Sequence, residues 1–138
     1  MIRSSERGSV TVFVTVMTIA LIFVAGLVLD GGRILNARRD AANTAESAAR
    51  AGAQELDEDA MRRTGAAVID PDRAVARAEA FLAANGYAGT ASATPTTVTV
   101  TVSLDISLVI LGIGGMADAE VTGTGSAEPQ RGITEAQP

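Results

Sequence analysis

The chain of 138 residues contains no cysteine, no histidine, no lysine and no tryptophan, and only three Phe and one Tyr. Without Cys there are no disulfides and no thiolate metal sites. Without His the usual general base near neutral pH and the commonest metal ligand are missing. A serine nucleophile would have neither His nor Lys to activate it. With so few aromatic residues, any folded domain must be small and built from Ala, Val, Leu and Ile. Basic clusters are also absent: residues 30–138 carry nine Arg against fifteen acids, a net of −6. That balance argues against nucleic acid as a partner.

One long uncharged run stands out. Val10 to Leu29 reads VTVFVTVMTIALIFVAGLVL, and thirteen of its twenty residues are Val, Ile, Leu or Phe. At ~1.5 Å per residue it makes about 30 Å of helix, the thickness of a hydrocarbon core. A cleaved signal peptide has a shorter apolar stretch and small residues at −3 and −1. The polar junction offers only Leu29 with Gly31, or Asp30 with Gly32. A retained anchor is therefore expected, in contact with membrane lipid. Arg3 and Arg7 precede the run and Arg33, Arg38 and Arg39 follow it, so the positive-inside count nearly ties. Because the bulk of the chain is acidic and Thr-rich, the N-terminus is expected in the cytoplasm and the C-terminal part outside.

Beyond the run, Ile34 to about Met61 is rich in Ala, Arg, Glu and Gln and lacks Pro, which reads as a helix leaving the membrane as a stalk. Ala37, Ala41, Ala45, Ala49 and Ala53 recur every four residues, with Ala48 and Gly52 beside them. Such a flat ridge is expected either to reflect Ala-rich composition or to pack against another copy or an assembly partner. Asp30, Gly31, Gly32 and Arg33 mark the membrane exit, where the two glycines are either tolerated or form a hinge. Asp70-Pro71-Asp72 starts a helix that ends at Asn85-Gly86, with Ala74, Ala78, Phe81 and Leu82 on its buried face. Val98, Val100 and Val102 alternate with Thr, the pattern of a half-buried strand, and Gly89–Thr94 is its candidate hairpin partner. The segment LDISLVILGIGG fits either a strand or a helical face, and a short helix or loop capping a sheet is favoured. Ala117–Ala127 reads as a last strand.

No motif points to chemistry. Gly112-Ile113-Gly114-Gly115-Met116-Ala117 has the spacing of a dinucleotide fingerprint but lacks the long helix and second βα unit it needs. Asp57, Glu58, Asp59, Asp70 and Asp72 have no calcium-loop spacing and read as helix ends and caps. No cofactor, metal or catalytic residue is expected.

The stretch RGSVTVFVTVMTIALIFVAGLVLDGGRILNARRDAANTAESAARAGAQEL, Arg7 to Leu56, resembles the N-terminal region of TadE/TadG-like proteins of the tight-adherence (Tad/Flp) pilus system. The resemblance lies in Arg-Gly-Ser before the apolar run, in the exit formed by Gly26, Leu27, Asp30, Gly32 and Arg33, and in the Ala-rich helix that follows. It implies a single-pass envelope protein that supports pilus assembly, or a minor pseudopilin, with other pilus-assembly or pilin-like membrane proteins as partners and self-association as an option. In some relatives a peptidase cuts after a glycine ahead of the helix; Gly8 is that glycine here and Ser9 would be the new N-terminus. The pilin pattern places Glu five residues after the cut, where this chain has Phe13, so the resemblance leans toward an unprocessed anchor.

The expected fold is α+β: leader 1–9, membrane helix 10–29, stalk helix 30–63, a small outer domain 64–127 with a second helix and an antiparallel sheet, and a disordered tail 128–138. An anchored or secreted binding module unrelated to pili is the alternative.

Overall fold

A computed structural model describes residues 6–113, 115 and 118–129. The expected disorder of 130–138 and part of the leader, 1–5, lie outside the described residues. The elements run α1 (Glu6–Ala53), α2 (Glu58–Thr64), α3 (Pro71–Ala84), β1 (Ala88–Ala93), β2 (Val98–Ser107), α4 (Ile110–Ile113) and β3 (Asp118–Ala127). The α+β class stands, with a three-stranded antiparallel sheet in the order β1-β2-β3.

The chain separates into two units. The first holds residues up to Leu35 together with Ile106–Ala119; the second holds Asn36–Asp105 and the residues from Glu120 onward.

In the first unit, α1 is a single helix through the apolar run. Its threonines cope with an apolar environment by turning inward: Thr15 Oγ1 donates to the Thr11 carbonyl at 2.9 Å and Thr18 Oγ1 to the Val14 carbonyl at 2.8 Å. The helix does not break at Gly31-Gly32. Each glycine costs ~1 kcal/mol against Ala, a penalty that the good helix formers on either side absorb.

In the second unit, the core forms where α1 and α3 cover the sheet. Ala41, Ala45, Ala48, Ala49 and Ala53 of α1, Ala74, Ala78 and Leu82 of α3, and Val98, Val100 and Val102 of β2 are buried together with Ile69. Phe81 is only half-buried. The β1–β2 hairpin pairs Ala88 with Ser103 through to Ala93 with Val98. Its turn is closed by Thr94, whose N–H donates to the Thr97 carbonyl at 2.8 Å and whose hydroxyl accepts from Thr97 N–H at 3.0 Å. The chain's one tyrosine, Tyr87, donates its hydroxyl to Asp40 at 3.1 Å and ties the start of this hairpin to α1.

The stalk helix expected to reach Met61 ends at Ala53. Its last turn meets Gly52, over which α3 and β2 pack, and Leu56 then leaves to form a bridge with Ile69. Asp57 N–H donates to the Val68 carbonyl and Asp70 N–H to the Glu55 carbonyl, at 2.8 and 2.9 Å. Asp57 next caps a separate helix by accepting from Ala60 N–H at 2.8 Å. That helix, α2, has acids in its first turn, Arg62 and Arg63 in its last, and Gly65 at φ 71 to end it. The ambiguous segment divides: residues to Ser107 belong to β2, and Ile110–Ile113 form α4.

Helix α3 begins where the cap residues place it, with Asp70 accepting from Arg73 N–H at 3.2 Å. Asp70→Ala removes this cap, and about 1 kcal/mol of stability is expected to go with it. Thermal melting of the full chain in detergent should then shift down by roughly 4–8 °C, the scale for a small domain.

Candidate functional site

The described apolar part of α1 is bare. Val10 to Leu29 is exposed along its length, with Val28 at 70% and Leu29 at 68%, except at Gly26. The helix is long and apolar enough to cross a membrane, with a mean hydropathy of 2.8 over its apolar 18-residue stretch.

Gly26 is covered for a reason that its sequence neighbours do not reveal. A Cβ built there would lie 2.2 Å from Ile110 Cγ1, so the missing side chain is the seat of Ile110. Four residues on, one turn along the same helix face, Asp30 is 1% exposed. Its two carboxylate oxygens accept from Val109 N–H at 3.1 Å and Ile110 N–H at 2.9 Å. These are the amides at the start of α4, which have no partner inside so short a helix. The Gly26/Asp30 pair thus holds the β2–β3 connection: glycine admits the side chain, and aspartate satisfies the backbone. Asp30, expected as a marker of the membrane exit, is a buried structural anchor for residues about eighty positions away.

The other exit residues are less engaged. Gly31 is half-buried and Gly32 and Arg33 are exposed; a Cβ at either glycine would meet nothing within 4 Å. Gly8 and Ser9 lie in the first turns of α1.

The alanine ridge packs, and it packs within the chain. Ala41, Ala45 and Ala49 are 0% exposed and Ala53 is 6%, while Ala37 is half-buried. A Cβ on Gly123 would fall 2.3 Å from Ala42 N and 2.7 Å from Ala41 Cβ; one on Gly125 would fall 2.3 Å from Glu46 N and 2.7 Å from the Ala45 carbonyl carbon. The repeats match in length. Four helical residues advance ~6 Å, and two strand residues advance about 6.6 Å. Strand β3 therefore lies along the ridge with glycine against alanine at successive contacts. From Ala41 to Ala53, the ridge is buried in the chain's own core. In sequence, the period-two run Val121-x-Gly123-x-Gly125-x-Ala127 is the signal of a strand whose inner face shrinks toward backbone.

Among the described residues, no group of three or more Asp or Glu is placed to hold a metal ion. A shallow groove at the end of α1 is lined by Glu46, Arg50, Gln54, Leu56, Ser126 and Glu128.

Residues 8–55 match the family model described as "Putative Flp pilus-assembly TadE/G-like". The matched span is α1 almost residue for residue, with the exit pair and the ridge inside it. No curated protein and no solved structure matches the chain.

Proposed function

We propose that this chain, whose residues 8–55 match the TadE/G-like Flp pilus-assembly model, is a single-pass envelope protein that serves Tad pilus assembly as a structural, non-enzymatic component. The observation that carries this reading is the division of labour along the matched helix. Its first half presents an uncovered apolar surface from Val10 to Leu29, and its second half is the core element of a folded domain. A helix of this kind fixes a domain to the bilayer, where lipid and the helices of other pilus-assembly proteins, or of another copy, can meet it. The N-terminus lies in the cytoplasm and the folded domain outside. Phe13, standing where a pilin has Glu, supports a fixed assembly factor over a pseudopilin cut between Gly8 and Ser9.

Deletion of the gene should abolish surface pili, and complementation with the full chain should restore them. Intact mass of the native protein from membrane fractions is expected to retain Val10–Leu29 and the residues before Gly8. A mature chain beginning at Ser9 would make it a pseudopilin, and one beginning near Gly31 would overturn the anchor. Piliation unaffected by deletion would overturn the assembly role.

A further inference from the structure

The geometry points to the β2–β3 connection as a second membrane contact, an apolar wedge seated in the lipid interface beside the anchor helix. The inference rests on the anchor reading of α1. From Ile106 to Ala117 the sequence carries no charge, and it is bracketed by Asp105 and Asp118. It groups with the apolar part of α1 in one structural unit, apart from the core of the second. Within that unit Ile110 sits on Gly26, which lies inside the apolar run, one turn short of its polar end. The connection therefore reaches back along the helix to a depth that α1 itself would spend in hydrocarbon or at its edge.

Two further observations fit lipid as the occupant. Val109 is 54% and Ile113 75% exposed, as bare as the apolar surface of α1, where Leu29 is 68% exposed. The backbone entering α4 at that depth is also supplied with acceptors, since the Asp30 carboxylate takes the Val109 and Ile110 amides. Irregular backbone is tolerated near hydrocarbon only when its polar groups are satisfied by protein. A buried carboxylate doing so at a membrane exit is the arrangement a dipping loop requires. Exposed large aliphatic residues on a short uncharged segment are also the means by which interfacial elements bind a bilayer.

The absence of native cysteine allows single labels without further changes. The full chain, with a nitroxide on Ile113→Cys, Val109→Cys, Phe23→Cys or Thr124→Cys, would be reconstituted in phosphatidylcholine–phosphatidylglycerol vesicles. Collisions with oxygen, which concentrates in lipid, would be compared with those with a water-soluble nickel chelate. Labels at Ile113 and Val109 should share the high oxygen-to-nickel ratio of Phe23, several-fold above that of Thr124 on the sheet. A water-like ratio at Ile113 beside a lipid-like ratio at Phe23 would overturn the wedge and leave the anchor standing. Low collision rates with both reagents at Ile113 would assign the patch to protein and also overturn it. A water-like Phe23 would remove the anchor, and the wedge with it.

Discussion

Valine at both Gly123 and Gly125 should leave the second unit unable to fold. Either added Cβ would meet helix backbone, not a side chain that can swing away: Ala42 N and the Ala41 carbonyl carbon in one case, Glu46 N and Cα in the other. Overpacking of this kind usually costs about 1–3 kcal/mol and more where nothing can move. A domain this small has only a few kcal/mol to lose. Gly123→Ala alone is expected to remove about 3 kcal/mol, read as a lower urea midpoint for the full chain in detergent micelles. Gly32→Ala is the control. No atom lies within 4 Å of its added Cβ, and in mid-helix the change should be neutral or stabilising by up to ~1 kcal/mol. Equal midpoints for Gly123→Ala and Gly32→Ala would show that β3 does not lie on the ridge. Ala45→Leu, which would test a ridge open to partners, belongs with the glycine variants, because Ala45 is fully buried within the chain.

Asp30→Ala should release the β2–β3 connection while sparing that core. The substitution strips the acceptors from the Val109 and Ile110 amides, and each buried donor left unsatisfied costs about 1–3 kcal/mol. Hydrogen exchange at these two amides should accelerate roughly a hundredfold or more, the equivalent of about 3 kcal/mol. Exchange in the Val98–Val102 stretch of β2 should hold its rate. Asp30→Asn keeps one acceptor oxygen but turns an NH₂ toward the other amide, so an intermediate acceleration is expected. Unchanged exchange at Val109 and Ile110 in the alanine variant would remove Asp30 from its anchoring role. Gly26→Val attacks the same junction from the apolar side, by closing the seat of Ile110.

Local signals in the sequence were the readable ones. Asp70, Pro71 and Asn85-Gly86 delimit α3 because a cap is made by residues within three or four positions of one another. The Val98–Val102 alternation gives both the strand and its buried face. The same kind of cap signal stands at Asp57 and Gly65, inside a stretch of helix formers that otherwise reads as one helix to Met61. Partners far along the chain were out of reach. Small residues on a helix announce a close approach without naming what approaches, so the ridge suited another subunit as well as the chain's own β3. Asp30 follows an apolar run and naturally reads as its boundary. Its burial depends on a loop that no periodicity connects to it.

The Ala41–Gly123 contact also sets an order of events. The two residues are about eighty positions apart, and closing a loop of that size must precede any gain from the contact. The core helix of the second unit is near the start of the chain, while the strand that covers it is made among the last described residues. During synthesis the ridge is finished early and stays uncovered until β3 arrives. A chain stalled or clipped before Val121 would leave Ala41 and Ala45 without the strand that packs on them. The packing of the second unit is therefore completed only once β3 lies on Ala41 and Ala45.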